Sequence, residues 1–169
     1  MRLLVMADTH VPRRARALPP PLWAEVERAD LVVHAGDWVQ ATLLDELEAR
    51  AHRVLGVWGN NDGADLRSRL PEVAYCEIEG VRVGVVHETG PSQGREHRLR
   101  ARFPDLDLLV FGHSHIPWDT DVDGLRLLNP GSPTDRRRQP HGSYLTLTVS
   151  RGEICDVCLH RVPPRPGHD

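Results

Sequence analysis

Leu3-Leu4-Val5-Met6-Ala7-Asp8-Thr9-His10 is the stretch on which the reading of this chain turns. An uncharged apolar run of this kind reads as a strand buried on both faces. It runs into an acid, a small polar residue and a histidine just before Val11-Pro12. Side chains alternate along an extended chain, so Asp8 and His10 are expected to project to one side. A carboxylate and an imidazole held together at the carboxyl end of a strand suit a divalent metal that accepts mixed oxygen and nitrogen ligands. Taken alone, the segment reads first as an ordinary turn after a core strand. The recurrence of the pattern decides otherwise.

Working outward from it, Pro19-Pro20-Pro21 opens a helix through about Ala29, since proline is tolerated in a first turn. Leu31 to His34 is a second strand and delivers Gly36-Asp37. A helix over Ala41–Arg50, with Leu43, Leu44, Leu47 and Ala51 as its apolar stripe, leads to a third strand from His52 to Trp58. That strand ends in Gly59-Asn60-Asn61-Asp62-Gly63. Strands alternating with helices predict a parallel α/β sheet, and such sheets bind ligands outside the carboxyl ends of their strands. All three polar clusters fall there.

The second half changes rhythm. Tyr75–Ile78 and Val81–His87 flank Glu79-Gly80 as a hairpin, and Ser92 to Phe103 is expected to be a helix with an Arg-rich outer face and a surface His97. Leu106 to Phe111 is another buried strand, ending in Gly112-His113-Ser114-His115. A hairpin around Asp123-Gly124, a turn at Asn129-Pro130-Gly131-Ser132 and a closing hairpin over Gly142–Arg161 complete the chain. The expectation is one domain over residues 1–161 with a flexible tail over 162–169.

Composition narrows the function. A chain of 169 residues with 40% hydrophobic and 27% charged residues is that of a soluble globular protein. No apolar run reaches the ~20 residues of a membrane span, and Leu3–Ala7 is too short for a signal peptide core, so a cytoplasmic location is expected. The net charge of −3 argues against a nucleic-acid coat. All 21 basic residues are arginine, which supplies guanidinium forks wherever a phosphate must be gripped. Of the three cysteines, Cys155 and Cys158 are spaced like a metal or redox pair. No second pair completes such a site, and in a strand positions three apart face opposite sides, so they are read as structural.

Collected in order, the polar residues that follow the strands are Asp8, His10, Asp37, Asn60, His87, His113 and His115, with Gly36, Gly59 and Gly112 beside them. Seven mixed ligands are too many for one tetrahedral zinc and match two adjacent ions of the borderline class: Mn, Fe, Zn, Co or Ni. Two ions sharing a carboxylate sit roughly 3.5–4 Å apart, a spacing used for in-line attack at phosphorus.

Asp8-Thr9-His10, Gly36-Asp37, Gly59-Asn60-Asn61-Asp62, Val86-His87 and Gly112-His113-Ser114-His115 resemble the signature of the calcineurin-like metallophosphoesterases. The Asn129-Pro130-Gly131-Ser132 turn and the short length resemble the small bacterial and archaeal phosphodiesterase branch, which also includes the retromer scaffold subunit. The resemblance implies an α/β fold, a four-layer α/β/β/α sandwich of two mixed sheets flanked by helices. It implies two divalent transition-metal ions, with Mn2+ the first expectation. One would take Asp8, His10, Asp37 and His115; the other would take Asp37, Asn60, His87 and His113, with Asp37 bridging. The expected catalytic group is Asp37, Asn60, Asn61 and Asp62.

The activity so implied is hydrolysis of a small phosphoester, most readily a phosphodiester, by in-line attack of a hydroxide bridging the ions. Nucleic acid enters only as a diester substrate, no membrane partner is expected, and a homo-oligomer stays open. Asn61 is expected to orient the phosphate; Arg13, Arg14 and Arg136–Arg138 read first as solvated-loop arginines, with a grip on the substrate's distal part as the alternative. Two departures from the family pattern stand out. Many members carry a histidine after the metal-binding asparagine, where this chain has Asn61, which can donate a hydrogen bond but cannot deliver a proton. Where the family commonly reads His-Gly-His, this chain reads His87-Glu88-Thr89. The rival reading is a scaffold of the same fold that works through its surface.

Overall fold

A computed structural model describes residues 1–163. Its two five-stranded sheets are stacked face to face. The first has the order β10-β9-β1-β2-β3, built from β1 (Arg2–Met6), β2 (Leu31–His34), β3 (Val54–Gly56), β9 (Gly142–Ser150) and β10 (Glu153–Val162). Here β1, β2 and β3 run parallel, while β9 returns antiparallel to β1. The second has the order β4-β5-β6-β8-β7, from β4 (Val73–Ile78), β5 (Val81–Val86), β6 (Leu108–Val110), β7 (Trp118–Val122) and β8 (Leu125–Asn129). Both sheets are mixed.

The layers follow from the two-residue period of the strands. Leu3 and Val5 of β1, Val83 and Val85 of β5, Val110 and Leu147 face the space between the sheets and are fully or almost fully buried there. Leu4, Met6 and Val32, on the other face of the first sheet, pack on Leu22 and Val26 of α1 (Pro20–Arg28) and Leu43, Leu44 and Leu47 of α2 (Ala41–Arg50). Leu109 and Leu127 of the second sheet cover Leu99 and Phe103, from α4 (Arg95–Arg102) and its C-terminal end. Helix, sheet, sheet and helix are thus the four layers that the sequence pattern leads one to expect.

Several elements differ from expectation. A helix α3 (Ala64–Arg69) follows the Asn60-Asn61-Asp62 loop, where none was expected. It buries only Leu66, so it carries no apolar period to read. The helix expected from Ser92 begins at Arg95, because Gly94 before it sits in the left-handed region at φ 65°. Arg95, expected on an exposed arginine face, is buried with its guanidinium over the rings of Phe111 and Trp118. His97 is exposed as expected.

The last strand runs through Val162, so the expected tail cannot begin there, and its remainder from 164 onward lies outside the described residues. A bulge in β10 pairs Cys155 with Thr148 and Cys158 with Thr146. Since Thr146 and Thr148 share a face, both cysteines face the same side, contrary to the alternation expected of an unbroken strand. All three cysteines are free thiols.

Candidate metal centre

Five strands that end at the same edge of the stacked sheets deliver polar loops to one place. β1 leads to Asp8 and His10, β2 to Asp37, β3 to Asn60 and Asn61, β5 to His87, and β6 to His113 and His115. The loops are tightly wound. Asp8 (φ 55°), His10 (45°), Asp37 (61°), His113 (68°) and His115 (58°) all adopt left-handed backbone. That region costs a residue with a Cβ roughly 1 kcal/mol or more, and such residues cluster at functional sites. Asp8 and His10 therefore converge through left-handed turns, and the extended alternation expected from sequence is not what brings them together.

The side chains fall into two arms, and Asp37 reaches both. In the first, His10 Nε2 lies 3.2 Å from His115 Nε2, and His115 Nε2 lies 3.4 Å from Asp8 Oδ1. In the second, Asn60 Oδ1 lies 3.0 Å from both His87 Nε2 and His113 Nδ1. Asp37 reaches both arms, with Oδ2 3.6 Å from His10 Nε2 and Oδ1 3.5 Å from His87 Nε2. Asp8, His10 and His115 form one buried group of donor atoms, and Asp8, Asp37 and His87 a second.

These residues fit a metal. His115 Nδ1–H donates to the Asp135 carbonyl (2.6 Å) and His87 Nδ1–H donates to the Ala35 carbonyl (2.7 Å). In each neutral ring Nε2 is then a bare lone pair turned toward the carboxylates, the tautomer a ligating imidazole needs. Buried nitrogens and carboxylate oxygens facing one another at 3.2–3.6 Å, with no cationic side chain among them, are a donor set for borderline divalent ions.

Close packing explains two of the glycines. A Cβ on Gly59 would sit 2.3 Å from Asp37 Oδ1, and Gly36 has φ +87° with His87 Nδ1 2.8 Å from where its Cβ would be.

Asp62, placed by the sequence reading in the catalytic group, has a different task. Its buried carboxylate accepts hydrogen bonds from the backbone N–H groups of Asp37 (3.1 Å), Val39 (2.7 Å) and Gly59 (2.7 Å). It ties the loop after β2 to the loop after β3, and so holds Asp37 in place. Asp62→Ala would leave three donors without an acceptor, each costing about 1–3 kcal/mol if it stays dry. A loss of about 3 kcal/mol or more in unfolding free energy, read from a denaturant titration, is the expected result. A loss below about 1 kcal/mol would contradict this role.

Asn61 is exposed, and it is bound to the shared carboxylate. Its backbone N–H donates to Asp37 Oδ1 (2.8 Å) and its Nδ2 to Asp37 Oδ2 (2.6 Å). Arg13 and Arg14 lie outside the cluster, on the exposed loop after β1.

Two supports escaped the sequence reading. His34 is fully buried and stacked on Trp38 at 3.5 Å. Its Nδ1 accepts from the Gly36 N–H (3.2 Å), so Nε2–H is the donor to Thr9 Oγ1 (3.0 Å), linking the loops that carry Asp8 and Asp37. The Asn129-to-Ser132 turn is the second. Asn129 Nδ2 donates to the Gly112 carbonyl, and Ser132 Oγ donates to the Asp8 carbonyl while accepting from the Asp135 N–H. A histidine closing a strand and an Asn-Pro-Gly-Ser turn were visible in sequence, but their partners are remote.

The electrostatics bear on metal-free protein. Burial pushes the Asp8 carboxyl up to about 8. Asp37 stays well below the usual carboxylate range: burial opposes this, but His87 and the two Asn61 donors outweigh it. Burial lowers His10, and it lowers His115 to about 4; His87 is raised on balance, the Asp37 and Asp8 carboxylates outweighing its burial.

Between about 4 and 8 folded Asp8 holds a proton that the unfolded chain has released, so stability falls as pH rises through this range. His10 and His115 act in the opposite sense, but only below their ordinary value of 6.5. Above 6.5 the raised His87 adds to the Asp8 loss. Thermal unfolding of chelator-treated protein should therefore show Tm falling between pH 6.5 and 8. The Asp8 share is about 2 kcal/mol, at ~1.36 kcal/mol per pH unit. A flat or rising Tm over that range would contradict it. Added divalent ions should stabilise more at pH 8 than at 6.5, because ligation requires the ionised carboxylate.

Residues 1–152 match the calcineurin-like phosphoesterase superfamily domain. A probable metallophosphoesterase of Methanothermobacter thermautotrophicus is 37% identical over 164 residues, covering 95% of this chain and 92% of that protein. A phosphodiesterase of Methanocaldococcus jannaschii is 24% identical over 144 residues, covering 78% and 83%. Among solved structures, Vps29 of Entamoeba histolytica complexed with Zn2+ superposes with a TM-score of 0.78 at 26% identity, covering 96% of this chain and 98% of that one. With the two-sheet sandwich and the clustered carboxylates and imidazoles above, these matches place the chain in the calcineurin-like phosphoesterase superfamily.

Proposed function

We propose that this protein is a dinuclear metal-dependent phosphodiesterase. The observation that carries the reading is the position of Asp37, whose two oxygens face His10 on one side and His87 on the other. One ion would be held by Asp8, His10, Asp37 and His115, and the other by Asp37, Asn60, His87 and His113. Mn2+ is the first candidate for both. The relative named a phosphodiesterase supports a diester substrate.

Bound ions would supply Lewis acidity toward the phosphoryl oxygens and lower the pKa of a water. The chain's own part is geometric and electrostatic. The Asp135 and Ala35 carbonyls fix the tautomers of His115 and His87, and Asp62 fixes the loop bearing Asp37. Asn61, exposed beside the cluster, is placed to hydrogen-bond a phosphoryl oxygen when it turns from Asp37. None of the described helices is long and apolar enough to cross a membrane. Three free thiols support a cytoplasmic setting. Assembly as a homo-oligomer is part of the same proposal only as an open partner state.

The second reading, a scaffold of the same fold, is favoured by one observation: no proton donor stands at position 61. Hydrolysis of a bis-aryl phosphodiester with and without Mn2+, beside elemental analysis, tests the choice. Two ions per chain and Mn2+-dependent turnover are expected, and His113→Ala and His115→Ala should each lower the content toward one. No turnover in the metal-replete protein would leave the scaffold. Two ions retained in both variants would remove the proposed division of ligands.

A further inference from the structure

Beside the Asp37-centred cluster lies a separate cavity of about 730 Å³ that none of the proposed ligands lines. Its walls come from segments far apart in sequence: Arg13 and Arg14 from the loop after β1, Arg136 and Arg137 from the loop after β8, with Pro21 and Pro133 among its apolar surfaces. The volume is that of a small-molecule site, which runs from about 300 to 1,000 Å³.

The cavity and the cluster share their scaffolding. The Arg14 N–H donates to the His10 carbonyl (2.9 Å), and Thr134 Oγ1 donates to the Thr9 carbonyl (2.5 Å). The Asp135 carbonyl accepts from His115, and Arg137 Nη1 donates to the His113 carbonyl (3.4 Å). The loops that wall the cavity are thus hydrogen-bonded to the loops that carry His10, His113 and His115.

The cavity's arginines carry little charge compensation, unlike several others in the chain. Arg2, Arg50, Arg69, Arg82 and Arg126 each pair with a carboxylate at 2.5–2.8 Å. In the cavity only Arg14 has a carboxylate, Asp135, and at 3.6 Å. Arg136 and Arg137 bind only the backbone carbonyls of Gln139 and His113, and Arg13 has no hydrogen bond or ion pair among the described residues. Guanidinium groups left unneutralised on a concave wall focus a positive field and offer paired donors to an anion. Scattered solvated-loop arginines would not line one cavity from two remote segments.

We propose that this cavity is a second-anion subsite, which takes a terminal phosphate while the scissile diester sits at the Asp37-centred cluster. The substrate class is then a short linear nucleotide diester with a free terminal phosphate, of the 5′-phosphorylated dinucleotide type. This rests on the phosphodiesterase reading above. The proline surfaces suit the flat apolar face of a base, and a bis-aryl diester or a cyclic mononucleotide, with a single phosphate, leaves the arginines unused.

The test compares equilibrium binding of diadenylate with and without a 5′-phosphate, both bridging ester oxygens of the diester replaced by methylene so that the linkage cannot be hydrolysed. The phosphorylated form should bind about tenfold tighter or more, the order that one or two charge-assisted hydrogen bonds supply. Arg13→Gln combined with Arg136→Gln should bring the ratio to about one at unchanged Tm, and Arg136→Lys alone should give an intermediate ratio. A ratio near one in wild type, or one that survives the double substitution, overturns the subsite. Hydrolysis of the bis-aryl diester is measured in parallel. Turnover with a ratio of one removes the subsite and leaves the phosphodiesterase. A high ratio without turnover of any diester keeps the subsite and removes the enzyme.

Discussion

Replacing Asp37 by asparagine is expected to abolish hydrolysis and to remove at least one ion from the proposed pair. Its carboxylate faces both arms of the cluster, at 3.6 Å from His10 Nε2 and 3.5 Å from His87 Nε2. Asparagine has one acceptor oxygen and no charge, so it can serve one side at most. Its amide group would also face one of the two N–H donors of Asn61, which now point at Oδ1 and Oδ2. The substitution thus removes the negative charge that the two proposed ions would share and sets donor against donor. A fall of at least about 10²–10³-fold in kcat is expected, the size of losing one preorganised electrostatic group. Because Asp62 still ties the loops, Asp37→Asn should stay folded. Wild-type turnover by this variant at wild-type metal content would end the bridging assignment.

The second large effect concerns the leaving group. A positioned general acid is typically worth about 10²–10⁴-fold, or roughly 3–5 kcal/mol. Asn61 cannot act as one, and its amide is hydrogen-bonded to Asp37. Departing alkoxides must then leave unprotonated or take a proton from water, so the barrier depends steeply on leaving-group pKa. Aryl diesters should be turned over far better than alkyl diesters. Asn61→His should narrow that gap by raising kcat/KM for alkyl substrates selectively. Asp62 follows Asn61 in sequence and looks available to orient the new imidazole, but its carboxylate is committed to three backbone N–H groups. The introduced histidine therefore lacks a fixed partner, and a gain at the lower end, about 10²-fold, is the expectation. Equal changes for aryl and alkyl diesters, or a loss confined to the alkyl one, would end the missing-acid account.

Apolar runs capped by acid, amide or imidazole were enough, in sequence, to place Asp8, His10, Asp37, Asn60, His87, His113 and His115 at strand ends. Burial of a strand on both faces leaves a continuous apolar signal, and a parallel α/β arrangement puts the ends of those strands on one edge. The layers of the fold were legible for the same reason. Helix α3 was not, because one buried leucine makes no period.

What only the tertiary structure decided is how those residues face one another. Left-handed backbone at Asp8, His10, Asp37, His113 and His115 cannot be read from residues that rarely adopt it, since the conformation is imposed by contacts from elsewhere. The role of Asp62 depends on N–H groups up to 25 residues away, and that of Ser132 on a carbonyl 124 residues away. The same holds for Cys155 and Cys158, which an unseen bulge turns to one side. Local alternation and composition specify which side chains are available at the sheet edge. Long-range hydrogen bonds, which leave no periodic trace in the chain, decide their directions.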